Sequence, residues 1–417
     1  MTDHVKSLPD AAIPPGGLRT WSVSDAERWR AAATPAAFSP VAGSWALAPL
    51  VAVAAVLLGW NDAATADRGT GWAGYPVVFL LISLPLWFRL TPVAALAATA
   101  LLAGYSAFTL AGLPAGDTAG LGGCLLVFAV CAYVCAGATL RLRARRRQRS
   151  LALAAAGPGR HPLPRRLPES HRLRGLGLML PGGVLCVGGV IILCWALAMD
   201  LGARRAGTYD ATGQQILALL SAVPGAAMLG RGVAAQLAAR RLRAAPQPAL
   251  LVGVRATGPA HNWLYADART PTAQPLICFR SRFEDRVSPV RTLQGGSAER
   301  LRAEHQDVNP FSEPFEAILY GAPREGAEVV LEYAVVHDGT LIVTEVAAVP
   351  LLARLRRQHA EWGASGTSSP SALWQRKKDA DRRRRSVAST GSSGSSCGSF
   401  YGCGSDSSCG GGCGGGD

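Results

Sequence analysis

Lysine is nearly missing from this chain: among its 42 basic residues only Lys6, Lys377 and Lys378 are lysines, so arginine carries the positive charge. Charged residues of either sign make up 17 % of the 417 residues and apolar ones 49 %, which is poor in charge for a chain that folds in water. The long apolar runs of the first half contain no Asp, Glu, Lys or His in their interiors. Such groups are costly in a bilayer and are kept there for ion or proton pathways. Their absence argues against such a pathway but leaves room for an apolar or lipid-like substrate. No P-loop and no histidine–carboxylate metal motif occurs, which argues against an enzyme. Residues 1–43 form a polar segment with no short apolar run ahead of a small-residue cleavage site, so the first apolar run is expected to stay as an anchor.

What is there is an array of apolar runs. Residues 44–60 approach the ~20 residues that cross a ~30 Å hydrocarbon core, with Trp45 and Trp60 at the ends as interfacial aromatics. Residues 72–113 are too long for one span and are interrupted by Arg89, Leu90, Thr91 and Pro92. Proline suits the first turn of a new helix, so two spans joined by a tight turn are predicted. Residues 121–140 form the fourth span and 176–199 the fifth, where Gly182, Gly183, Gly188 and Gly189 would permit close helix contact. Residues 214–230 form a sixth, after which 232–243 read as a basic amphipathic stretch running along the membrane surface. Spans one to four thus fall in 44–140 and spans five and six in 176–235.

Between them, residues 141–174 carry eleven arginines against one acid, Glu169. Arginine-rich loops stay on the cytoplasmic side, so 141–175 are expected to be a cytoplasmic loop, with an extended connector around 157–168. Six spans then put both termini inside. The three far-side segments, 61–70, 114–120 and 200–213, hold only Arg68, Arg204 and Arg205, as that rule requires. The net charge of +14 is explained by topology and by attraction to anionic lipid headgroups, about 1 kcal/mol per basic residue near the surface. Nucleic acid is not expected as a partner, because no recognition motif accompanies the arginines. The arginine and alanine bias matches a high-GC bacterial genome, and the location expected is the bacterial inner membrane.

From residue 248 the texture changes. Short β-prone runs at 250–255, 263–266, 276–280, 315–320, 328–336 and 341–349 predict a small cytosolic barrel or sandwich over 248–352. Asp338-Gly339 suits a two-residue hairpin turn, and 297–305 read as a helical insertion capped by Ser297. The run GAEVVLEYAVVHDGTLIVTEV at 326–346 is similar to the closing hairpin of NfeD-like barrels, over about one twentieth of the chain. That resemblance implies a small barrel and no particular chemistry. A basic segment, 353–385, and a Gly/Ser/Cys-rich tail, 386–417, follow; the tail cannot bury enough apolar surface to fold and is expected to be disordered.

Candidate chemistry is sparse. Cys397, Cys403, Cys409 and Cys413 in the tail could bind Zn²⁺ or Cu(I) as thiolates, though structural zinc sites prefer tighter pairs than this spacing gives. Cys124, Cys131 and Cys135 share one face of the fourth span, where cysteine also packs as a small hydrophobe; Cys186 and Cys194 are read the same way. His261, His305 and His337 of the β region, with Asp267, Glu284, Asp285 and Glu304 nearby in sequence, could form a metal set but are more simply surface or turn residues. No catalytic or cofactor-binding residue is expected. The sequence therefore points to a non-catalytic membrane scaffold or sensor whose β domain binds a cytosolic protein partner. The alternative is a transporter or export accessory for an apolar or lipid-like substrate.

Overall fold

The computed structural model describes residues 8, 12–63, 72, 74–114, 116–165, 167–203, 209–258, 261–270, 274–279, 315–337 and 341–352. Five of its helices are long and apolar enough to cross a membrane. They are α2 (Pro40–Ala63), α4 (Pro92–Ala111), α5 (Thr118–Ala156), α7 (Leu176–Ala203) and α8 (Thr212–Arg243). A sixth apolar helix, α3 (Tyr75–Leu90), is shorter. The expected turn falls at Thr91, and Pro92 opens α4, where a missing N–H costs nothing.

Helices α2–α5 form a bundle around Leu47, Leu81, Leu84, Phe88, Leu102, Val130 and Val134. Helices α7 and α8 form a hairpin that meets the bundle along α3. Of the four glycines expected to bring α7 close to a neighbour, two do so. A Cβ at Gly182 would lie 2.6 Å from the Leu229 nitrogen, and one at Gly189 3.0 Å from Ser221 Oγ, whereas Gly183 and Gly188 have nothing within 4 Å. With Gly175, which meets Gly232 of α8, the contacting glycines recur every seven residues.

The arginine stretch departs from the expected loop. α5 does not stop at Leu140 but runs 39 residues to Ala156, roughly 58 Å. Arginine is a good helix former, and the stretch meets no glycine or proline before Gly157, whose φ of 72° ends the helix. Beyond it, 157–165 and 167–168 are irregular, with a bridge from His161 to Gln247, and then a single turn, α6 (Glu169–Arg172), leads into α7. Likewise α8 continues unbroken through Arg231 to Arg243, so the amphipathic 232–243 extend the last apolar helix.

The β region is a closed barrel. β2 (Ala249–Gly258), β3 (His261–Tyr265), β4 (Ile277–Phe279), β7 (Leu341–Leu352), β6 (Glu328–His337) and β5 (Phe315–Tyr320) pair in that order, and β5 returns to β2. All these pairings are antiparallel. The strand alternation separates two faces. Leu250, Val252 and Val254 join Phe315, Ala317, Leu319, Val329 and Leu331 in the main core, while Ala249, Ile318, Tyr320 and Val330 pack with Leu242 of α8.

The barrel core is not made by the barrel alone. Residues 1–43, expected only as a polar segment, supply β1 (Arg19–Thr20), which lies parallel to β2, and α1 (Val23–Ala31), capped by Ser22. Trp21 and Trp29 pack edge-to-face at 6.1 Å and enter the barrel core, as do Ala152 and Ala156 from the end of α5. Burying each large side chain contributes about 1.5–3 kcal/mol, so Trp21 and Trp29 bind the amino-terminal segment firmly to the barrel, and α5 adds the small side chains Ala152 and Ala156 to the same core.

Candidate functional site: the helix–barrel junction

The seven residues between β5 and β6, 321–327, lie where the barrel meets the helices. Two glycines shape this loop, Gly321 at φ 110° and Gly326 at φ 74°, both in the left-handed region that favours glycine. A Cβ on Gly321 would sit 3.1 Å from Leu242 of α8, and one on Gly326 3.4 Å from the Arg145 guanidinium of α5. The loop is thus wedged between two helices. Trp29 Nε1 donates to the Pro323 carbonyl at 3.0 Å, and the Glu325 amide donates to Gln148 at 3.3 Å.

Glu325 receives two arginines from α5. Arg141 Nη2 lies 3.1 Å and Arg145 Nη2 3.3 Å from its Oε1. Arg141 is 1 % exposed. Its other bonds run to the carbonyls of Phe88 and Arg89, and its guanidinium lies 5.4 Å from the Phe88 ring centroid. Phe88 and Arg89 lie in the last turn of α3, whose last carbonyls have no helical partner and carry the negative end of the helix dipole. Arg141 therefore caps α3, packs on its last aromatic ring and pairs with the barrel. Losing one partner of such a buried pair typically costs about 3–5 kcal/mol.

A second fastening joins the barrel to the α7–α8 hairpin. Glu328, at the start of β6, lies 3.1 Å from Arg174 Nε and 3.6 Å from His171 Nδ1. Glu328 and His171 are both buried, while Arg174 is 29 % exposed. On the sheet face opposite the main core, Arg255 donates to the Thr270 carbonyl at 2.6 Å and stacks 4.2 Å over Tyr265. Burial pushes the Tyr265 phenol up, and Arg255 partly offsets that.

No family model matches the chain, and no curated protein or solved structure matches it either.

Among the described residues no three His, Cys, Asp or Glu side chains come together as a metal site. Cys397, Cys403, Cys409 and Cys413 lie outside the described residues, as do His305, Glu284, Asp285, Glu304, the Asp338–Gly339 turn and residues 297–305. Asp267 is occupied as a turn residue, accepting from the amides of Arg269 and Thr270 at 2.7 and 2.6 Å. Cys124 and Cys131 are buried and Cys135 is exposed; Cys131 belongs to the bundle core, as packing alone would have it. A cavity of about 40 Å³ opens between α1, α5 and the barrel beside Trp29, Thr34, Gln148, Leu276 and Glu325. It has room for a water or two, well short of the ~300 Å³ at which small-molecule sites begin.

Sequence reasoning missed the junction because its partners lie far apart, Arg141 and Glu325 being 184 positions from one another. The signal that was available is periodic. Arg141 and Arg145, with Gln148 next on the same face, recur at helical spacing directly after an apolar span.

Proposed function

We propose that the chain is a multi-pass protein of the bacterial inner membrane with six crossing helices, both termini and the barrel on the cytoplasmic side. In this reading it works as a non-catalytic scaffold or sensor whose barrel binds a protein partner beside the membrane. The observation that carries it is the continuity of α5, which leaves the apolar bundle, caps α3 through Arg141, pairs with Glu325 and ends in the barrel core. A partner seated on the barrel would thereby act on the helices through one rigid rod.

The sidedness is supported by where the arginines gather. Arg89, Arg141, Arg145, Arg174 and Arg241 all lie at the end of the helices that meets the barrel, as the positive-inside rule favours. The opposite end carries the bond from Trp72 Nε1 to Asp200 at 3.0 Å. α3, at roughly 24 Å, is short for a crossing. It packs in the bundle next to α4 through the single-residue turn at Thr91, and mismatch of a few ångströms costs little.

The test is photo-crosslinking in native membranes from the full chain, because the barrel shares its core with α1 and α5. Probes at Arg269 and Gln274 on the exposed barrel surface should give discrete protein adducts, and probes at Trp45 and Val184 on exposed helix faces should give lipid adducts. Absence of barrel adducts, together with lipid flux by the chain in reconstituted vesicles, would replace this reading with the transport alternative.

A further inference from the structure

Arg324 sits in the β5–β6 loop with its backbone fixed on both sides. The Pro323 carbonyl is held by Trp29, the Glu325 amide by Gln148, and the Arg324 carbonyl accepts from the Ala327 amide at 3.0 Å. The side chain is half-buried and, among the described residues, has no hydrogen bond or ion pair. The charges that act on it most strongly are positive. Burial lowers its pKa first, and Arg145, Arg149 and Arg241 lower it further.

The placement of those three follows from the wedge described above. Arg145 and Arg149 stand four residues apart on one face of α5, and Arg145 also touches the loop at Gly326. Arg241 precedes Leu242, which touches the loop at Gly321 on the α8 side. The one carboxylate at hand, Glu325, is already engaged by Arg141 and Arg145. Arg145 Nε is buried and unpartnered among the described residues. Arg145 and Arg149 of α5, Arg241 of α8 and Arg324 of the pinned loop thus border one junction, and of the four only Arg145 has a carboxylate, Glu325, against it among the described residues. Guanidinium forks match phosphate oxygens two at a time, which a clustered set of lysines would not do.

We propose that Arg145, Arg149, Arg241 and Arg324 form a binding site for a phosphate-type anion at the α5–α8 side of the helix–barrel junction. Two sources supply that chemistry: the headgroup of an anionic phospholipid, or a free phosphate of the cytoplasm. Position favours the headgroup, since Arg145 and Arg149 lie within roughly 13 Å along α5 of Leu140, where the continuous apolar run ends. The lipid arm rests on the membrane reading above, whereas the free-phosphate arm does not.

The full chain is purified in neutral detergent and its melting followed with and without inorganic phosphate. It is also placed in lipid discs of phosphatidylcholine with and without a minority of phosphatidylglycerol, and retained lipid is counted by native mass spectrometry. The site variant carries Arg149→Gln, Arg241→Gln and Arg324→Gln. The control carries Arg143→Gln, Arg146→Gln and Arg147→Gln, three exposed arginines of the same helix, so both lose equal charge. The expected result is that wild type and control bind phosphatidylglycerol in preference to phosphatidylcholine while the site variant loses that preference, because only the site arginines pair with the phosphate oxygens. A phosphate-induced rise in melting lost only in the site variant, without lipid preference, assigns the site to a free anion. Binding of neither probe, or equal loss in the control, overturns the proposal. Should the triple variant not fold, Arg149→Gln with Arg241→Gln, both exposed, is compared with Arg143→Gln and Arg146→Gln under the same criteria.

Discussion

The bundle α2–α5 and the hairpin α7–α8 are built from apolar helices and are held together by opposite means. In the bundle, large side chains meet around Phe88, whose ring edges lie against Gly43 of α2 and Gly137 of α5. In the hairpin, backbone meets backbone: Gly182 faces Leu229 and Gly225, and Gly232 faces Gly175. Their fastenings to the barrel differ in the same sense. The bundle uses a fully buried arginine with a second one behind it, and the hairpin a half-exposed Arg174 beside a buried histidine. Close backbone approach and large-residue packing can each hold apolar helices together, but they fail differently. A tight side-chain contact relaxes by rotamer change; a backbone contact has nothing to rotate.

The largest expected effect tests the fastenings. Glu325→Ala leaves Arg141 buried without its carboxylate and should cost about 3–5 kcal/mol, read as a lowered unfolding midpoint of the full chain in detergent. Replacing both Arg141 and Glu325 by Met should recover only part of that loss: a buried ion pair is often no better than apolar packing, but the carbonyls of Phe88 and Arg89 lose their cap and Arg145 its carboxylate. Glu328→Ala should cost less, about 1–3 kcal/mol, because Arg174 at 29 % exposure can turn to water. Equal losses at Glu325 and Glu328 would erase the distinction.

Next come the glycines of the hairpin. A methyl at Gly182 would stand 2.6 Å from the Leu229 nitrogen and 2.9 Å from the Gly225 carbonyl. Gly182→Ala should therefore destabilise by about 1–3 kcal/mol. Its neighbour Gly183 has open space, so Gly183→Ala should gain up to about 1 kcal/mol from helix propensity. Opposite signs at adjacent positions are the signature; like signs would mean that these helices do not meet where described.

The bundle gives the contrasting case. In Gly137→Ala the new methyl lies 2.8 Å from the ring edges of Phe88 and Phe38, so a cost of about 1–2 kcal/mol is expected. Phe88→Leu in the same chain should suppress part of it, as measured by a double-mutant cycle. No side-chain trimming should suppress Gly182→Ala to a similar degree.

How much of this was legible in the sequence depends on the range of the interaction. The six barrel strands were legible because alternation is local, and β5 falls at residues 315–320 as expected. The turn at Thr91 was legible because proline acts on its own residue and the one before it. The helical course of 141–156 was hidden by reading charge as a sign of loop, although arginine and alanine favour helix and the break comes only at Gly157. The seven-residue recurrence of Gly175, Gly182 and Gly189 was readable in principle and distinguishes them from Gly183 and Gly188. The contribution of Trp21 and Trp29 to a barrel more than two hundred residues downstream was not, nor was the pairing of Arg141 with Glu325. Those depend on closure of the whole chain.

The smallest effect separates the barrel from both helix groups. Both fastenings depend on arginine, which keeps its charge beyond the range of ordinary titration, so neither should weaken in moderate alkali. Tyr320 of β5 behaves otherwise: its hydroxyl donates to Glu332 at 2.8 Å, and burial followed by that carboxylate holds its pKa well above the usual tyrosine value. A folded-state pKa raised above the unfolded one means that the stabilisation is complete below about pH 10 and is lost as pH rises beyond it. Tyr320→Phe should cost about 0.5–1.5 kcal/mol at neutral pH through the lost bond. It should also flatten the alkaline decline measured by unfolding across pH 8 to 11. The flattening should be partial, because burial raises Tyr265 in the same barrel as well. If wild type and variant decline in parallel, the alkaline limb arises outside the β5–β6 pair, and the barrel would have to be regarded as yielding together with the helices.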